Sequence, residues 1–178
     1  VSTFFNKVFS DYNVLSHHTN ECNVSNDDKY VALYGTKVST GTDCWVVVYN
    51  IELDSIVSET NMGFAFSTVN FMSISQLGGY VVIGFNTNGS GTAQGTKSYD
   101  KNMANEVHLV DGTPHGDCGI DQQGNEVFVS YTPISGYLLS YSLLSDGSEV
   151  GLLPSGNGTI GGVHISCRNL NRQGWAYV

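Results

Sequence analysis

Two His-x-x-Cys tetrads, His115-Gly116-Asp117-Cys118 and His164-Ile165-Ser166-Cys167, hold much of the chemistry this chain can offer. Together they provide two imidazole nitrogens and two thiolates, the ligand set of a closed tetrahedral zinc site. The chain's four cysteines, Cys22, Cys44, Cys118 and Cys167, can instead close as disulfides. Their even number in a polar, Asn- and Thr-rich chain suits an oxidising compartment. The simplest pairing is Cys22 with Cys44 and Cys118 with Cys167, although four cysteines allow three connectivities. A strand points successive side chains to opposite faces, so ligands three residues apart converge only at a turn or bulge. Disulfides with no metal and no cofactor are therefore the first expectation, and zinc on His115, Cys118, His164 and Cys167 is the alternative.

The histidines and arginines suggest a second kind of chemistry. His17 and His18 are adjacent, and the only two arginines, Arg168 and Arg172, lie four residues apart near His164. A histidine titrating near neutral pH can abstract a proton, and an arginine can neutralise a carboxylate. Those are the needs of β-elimination on a uronate-containing polysaccharide. The candidate catalytic residues are His18, His115, His164 and Arg168, with Asp117 and Arg172 nearby. The competing expectation is that each histidine holds neighbouring elements together by hydrogen bonds. His108 is expected to be structural.

What positions these residues is a repeat. A short apolar pair, a polar turn and a β-rich run recur at Val24–Tyr34, Ile74–Phe85 and Ile120–Tyr131, and again from Ile165 to Val178 with a longer turn. The offsets between Ser25, Ser75, Asp121 and Ser166 are 50, 46 and 45 residues. A period near 45 with a strand–turn–strand core matches one blade of a β-propeller. Each unit has room for a third strand, as in Cys44–Ile51 or Tyr137–Leu143, and a short fourth, as in Ser55–Ser58 or Glu149–Leu153. The runs are rich in Val, Ile, Tyr and Phe, which suit pleated sheets. No apolar pattern of helical period persists for ten residues.

The turn in Val24-Ser25-Asn26-Asp27-Asp28-Lys29-Tyr30-Val31-Ala32-Leu33-Tyr34-Gly35 resembles the Ser-Pro-Asp-Gly-Lys turn of WD40-like and TolB-like propeller repeats. It lacks the proline and the glycine of that turn, and the chain lacks the Trp-Asp dipeptide of true WD40 blades. The resemblance implies an all-β fold: a β-propeller of four-stranded antiparallel blades, with about three and a half blades present. The units are 19–58, 68–110, 116–153 and 162–178, within one domain over 1–178. Strands within residues 3–15 could complete the last half-blade and close a four-bladed ring; otherwise the chain is an arc of a larger propeller, completed by missing blades or another copy. In propellers the loop entering the innermost strand opens at a mouth of the central channel. His17, His18, His115 and His164 are expected to gather there. Oligogalacturonate and ulvan lyases are similar in using His, Arg and Tyr at that mouth, with no motif that aligns residue by residue. Tyr30, Trp45, Tyr80 and Trp175 are expected to fill space between blades.

Composition limits the partners. The charged fraction is 13 %, about half the roughly 25 % of soluble domains, so Ser, Thr, Asn and Gly solvate the surface. A formal net charge of −9 repels nucleic acid and anionic membranes. No segment approaches the roughly 20 apolar residues of a membrane span. The chain opens at Val1 without a signal pattern and reads as a mature or trimmed product. Asn23, Asn88 and Asn157 head glycosylation-type triplets, though a composition this rich in Asn and Ser produces such triplets by chance. Gly156–Gly161 matches G-x-G-x-x-G, but without a following helix to hold a phosphate it is a glycine-rich loop. The expected function is a secreted or cell-surface binding propeller that recognises a glycan or protein partner through its channel-mouth loops. The alternatives are a polysaccharide lyase or hydrolase and a structural component of an extracellular assembly.

Overall fold

A computed structural model describes residues 9–14, 24–25, 27–65, 69–75, 77–85, 95–111, 113–120, 126–132, 138–143 and 146–154. These form twelve strands and no helix. The first sheet holds β1 (Tyr12–Val14), β2 (Tyr30–Lys37), β3 (Asp43–Asn50) and β4 (Ser55–Ala65). The second holds β5 (Val69–Ile74), β6 (Tyr80–Phe85), β7 (Gly95–Asp100) and β8 (Val107–Asp111). The third holds β9 (Thr113–Ile120), β10 (Glu126–Thr132), β11 (Leu138–Leu143) and β12 (Glu149–Pro154). Each is an antiparallel meander whose spatial order follows the chain. The second and third sheets approach each other most closely along their first strands, β5 and β9. The first strands are therefore the inner edge of a blade stack, as expected of a propeller.

The period-two pattern fixes which residues meet between blades. In the first sheet Ala32 lies opposite Val48, Tyr34 opposite Val46 and Thr36 opposite Cys44. This face packs on Met72, Ile74, Val81, Ile83 and Phe85 of the second sheet in one buried cluster. Each fully buried Val, Ile or Met there contributes about 1.5–3 kcal/mol. Val31, Val47 and Tyr49, on the other face, are also buried, with the Phe9 ring edge-on to Tyr49 at 5.2 Å.

The turn noted in the sequence has one hydrogen-bond pattern in two blades. The Ser25 hydroxyl accepts from the Tyr30 amide at 3.0 Å, and Ser75 does the same for Tyr80 at 3.0 Å. The Asp28 amide donates to the Ser25 carbonyl at 2.9 Å, and Gly78 to Ser75 at 2.8 Å. Both turns then need a left-handed residue: Asp28 has φ +57° and Gly78 φ +70°. Aspartate occupies that conformation in the first blade because a short polar side chain tolerates it. Asp27 is held by the Ser25 hydroxyl, which donates to it at 2.6 Å.

Contacts between blades recur one step along the chain. The Ser58 hydroxyl of β4 donates to the Lys101 carbonyl in the β7–β8 turn at 2.9 Å. One blade on, Gly147 in the β11–β12 turn lies so close to the His108 carbonyl and Val107 of β8 that a side chain there would collide. Tyr30 packs on Gly78 of the next blade and takes the Lys101 ammonium over its ring at 5.1 Å. It fills space between blades, as its position predicts.

Two expectations about strand assignment change. Tyr12–Val14 pair with β2, Tyr12 opposite Lys37 and Val14 opposite Gly35. They belong to the first blade and do not complete a fourth. The inner strand of that blade resumes only at Val24, opposite Val31, and this split hides its first half from a repeat search. The third blade starts at Thr113, three residues before the expected 116, which places His115 inside a strand instead of before one. Residues 162–178, expected as a half-blade, lie outside the described residues.

Candidate functional site

The inner strands share an irregularity at one level. Val24, Ile74 and Ile120 lie opposite the equivalent residues Val31, Val81 and Val127. Toward the other end Val14, Val69 and Pro114 lie opposite the equivalent Gly35, Phe85 and Tyr131. Between these anchors every second strand has three residues. In the first strands β5 has four (70–73) and β9 five (115–119); residues 15–23 of the first blade lie outside the described residues. The inner strands β5 and β9 thus carry surplus residues between the same two rows. A bulge bends its strand and re-aims side chains, and bulges concentrate near functional sites.

Few of the sequence candidates lie among the described residues. His115 and Asp117 stand in the irregular stretch of β9, between Pro114 and Cys118. A bulge is the feature that would allow a three-residue spacing to converge. His17, His18 and Cys22 lie outside the described residues. His164, Arg168, Arg172, Cys167 and Trp175 also lie outside them, as does the side chain of Cys118. Cys44 carries a free thiol packed with no exposure in the core between the first two sheets. Burial pushes this thiol up to about 12, so it behaves as a small apolar side chain. Its expected partner, Cys22, is not among the described residues. His108 lies on the outermost strand of its blade. Among the described residues no three His, Cys, Asp or Glu side chains group as metal ligands.

The sequence did not anticipate a second cluster, at the end of the first blade where β1 begins and β2 turns into β3. Lys37, the last residue of β2, lies opposite Tyr12. Its ammonium sits 4.5 Å from the Trp45 ring centroid and 5.6 Å from that of Tyr12, and it pairs with the Glu59 carboxylate. The Trp45 indole N–H donates to the Thr40 hydroxyl at 3.0 Å. Asn61, directly across from Trp45 on β4, donates to Asp43 Oδ2 at 3.0 Å. The bond from Lys37 holds the Glu59 carboxyl below its usual range. The Tyr12 hydroxyl is buried without a hydrogen bond of ordinary geometry; burial first, then the neighbouring Glu59, raises its pKa. Trp45 itself is half-buried and occupies the end of one blade. These side chains come from four strands and one hairpin loop, so only strand pairing brings them together. The one sequence signal was the short 38–42 loop, which returns β3 beside Lys37.

Comparison with known proteins supports the fold. No protein-family model and no curated protein sequence matches the chain. Among solved structures, the β-propeller domain of the Trilobed protease from Pyrococcus furiosus, described as having an open velcro topology, superposes with a TM-score of 0.56 at 8 % identity. The match covers 72 % of this chain and 40 % of that one. TolB from Acinetobacter baumannii gives 0.50 at 19 % identity, over 78 % of this chain and 32 % of TolB. The chain therefore spans well under half the length of either structure. It carries a β-propeller fold.

Proposed function

We propose that this chain is the ligand-binding part of a secreted or cell-surface β-propeller. It engages an extracellular glycan or protein at the end where its inner strands begin. The register breaks in the inner strands β5 and β9 support this reading. Surplus residues at one level of both strands cost regular pairing, and bulges of this kind recur beside functional sites. The sparse charge and the Ser-, Thr- and Asn-rich surface are in keeping with an extracellular setting, and no cofactor is required. A double variant, H115A/D117A, tests the reading beside S25A/S75A, which alters the turns at the opposite end. Binding to an immobilised panel of extracellular glycans and proteins is expected to fall in the first and persist in the second. The reverse pattern would overturn the proposal.

One observation favours a second reading. His115 and Asp117 belong to the irregular stretch of β9, and bulged strands are common beside catalytic groups. In a uronate lyase His115 would abstract the proton beside the carboxylate, aided by His18, His164 or Arg168. Release of unsaturated product from oligogalacturonate, followed by its ultraviolet absorbance and lost in H115A, separates this reading from the first.

A further inference from the structure

We infer that the segment entering β1 is a cap. Phe9 covers the outward face of the first blade, takes the place that a neighbouring blade takes on the second, and keeps this face from docking a second copy of the chain.

Equivalent residues of two blades reveal what the cap replaces. Val31 lies opposite Tyr49 in the first sheet as Val81 lies opposite Tyr99 in the second. In the second blade both are buried in the cluster packed on the first blade, with Tyr99 6 % exposed. In the first blade the same two positions point away from the second. The described blades stack in chain order, β2 near β5 and β5 near β9, so no described blade lies on that side. An antiparallel sheet with nothing on one face leaves that face to water. Yet Tyr49 is only 1 % exposed, and Val47 beside it is buried as well.

Phe9 stands where the missing neighbour would be. Its ring meets Tyr49 edge-on at 5.2 Å, and with Tyr12 it closes a small apolar cavity over Leu33, Gly35 and Val47. Two backbone bonds fix the segment. The Tyr12 amide donates to the Phe9 carbonyl at 3.1 Å, and the Val38 amide donates to the Asp11 carbonyl at 2.9 Å. Position 35 fits the same account. Its equivalent in the second blade is Phe85, which stacks on Phe64 of the first blade at 5.1 Å. Gly35 leaves that space open, and Phe9 brings a ring to it from the entering segment.

A second copy is the partner this face would otherwise take, because the chain itself carries the complementary face. Ala32, Tyr34, Val46 and Val48 of the first blade receive Val81, Ile83 and Phe85 of the next. In the third sheet, register places Phe128 opposite Tyr141, at the positions that Ala32 and Val48 hold in the first. A first blade docked after the last blade of another copy would repeat the contact already made within the chain. Such head-to-tail contacts do not close on themselves unless the rotation makes a ring, and stacked-repeat proteins block them with capping units. With the cap in place, an extracellular assembly cannot grow through this face.

The test follows the weight-average mass of the full chain by light scattering between about 1 and 100 μM. F9A should gain at least about twofold in mass over that range, whereas the parent and F9L should gain less than about 1.3-fold. Adding L33K, a charge on the same face, to F9A should restore the behaviour of the parent. Thermal melting followed by circular dichroism checks that each variant folds, and the smaller truncation F9V takes the place of F9A if F9A does not. A mass for the folded truncation that does not change with concentration would overturn the cap. So would a parent that associates as strongly as F9A, or an F9A/L33K that associates as F9A does.

Discussion

Tyr30 of the first blade lies against Gly78 of the second, so closely that even a methyl group at position 78 would overlap the ring. Gly78 is also left-handed, with φ +70°, and its amide closes the turn onto Ser75 at 2.8 Å. One residue therefore serves a turn and a blade interface at once. Its counterpart Asp28 has the same left-handed conformation and retains a side chain.

The two demands on Gly78 can be separated. Gly41 is equally left-handed, at φ +76°, with nothing within 4 Å of an added Cβ. G41A should cost about 1 kcal/mol, the backbone strain alone. G78A adds overlap with Tyr30 and should cost about 2–4 kcal/mol in all. Urea denaturation of both variants checks this. Equal losses would mean that the Tyr30 contact carries no weight.

The Thr96 hydroxyl is fully buried and has no hydrogen-bond partner among the described residues. A buried unpaired hydroxyl is a cost that an isosteric methyl removes. T96V should leave stability unchanged or raise it by about 1 kcal/mol, read as a higher urea midpoint at constant slope. A loss of stability would show that the hydroxyl has a partner after all.

Cys44 should resist thiol reagents in the folded protein and react once the chain is unfolded, since burial raises its pKa to about 12 and only the thiolate attacks. C44S places a hydroxyl in the buried apolar cluster between the first two sheets and should cost about 1–3 kcal/mol. Rapid labelling of Cys44 in the native state, mapped by peptide mass spectrometry, would contradict its place in the core.

Acid should weaken the fold through its held carboxylates. Glu59 and Glu106 have folded pKa values below the ordinary 4.5, each chiefly through a hydrogen bond from a lysine, Lys37 and Lys97 respectively. A carboxylate depressed on folding stabilises above its unfolded pKa, and that stability is lost as pH falls through the folded value. Stability should therefore decline below about pH 4.5. E106Q should show a shallower decline than the parent, while both are compared at equal ionic strength. Identical pH profiles would remove the Lys97–Glu106 contact from the acid response.

The fold was legible because the Ser25-to-Tyr30 and Ser75-to-Tyr80 spacings are the same, and each serine holds its tyrosine amide in the same bond. The first half of the first inner strand was not, because nine residues separate Val14 from Val24 and break the repeat where the eye expects continuity. His115 was placed beside the inner strand and proves to lie within it. The Trp45 cluster was invisible as a pattern: Tyr12, Lys37, Trp45 and Glu59 are scattered over the sequence and meet only through cross-strand register. Sequence periodicity reports strands and turns; it does not report which strand ends come to face one another.

Hydrogen–deuterium exchange with and without the tightest ligand of the extracellular glycan and protein panel addresses the binding end most directly. Amides of 37–45 and 113–119 should gain protection, while the Ser25–Tyr30 and Ser75–Tyr80 turns at the opposite end should not change. Protection confined to those turns, or absent from both ends, would contradict ligand binding at the end where the inner strands begin.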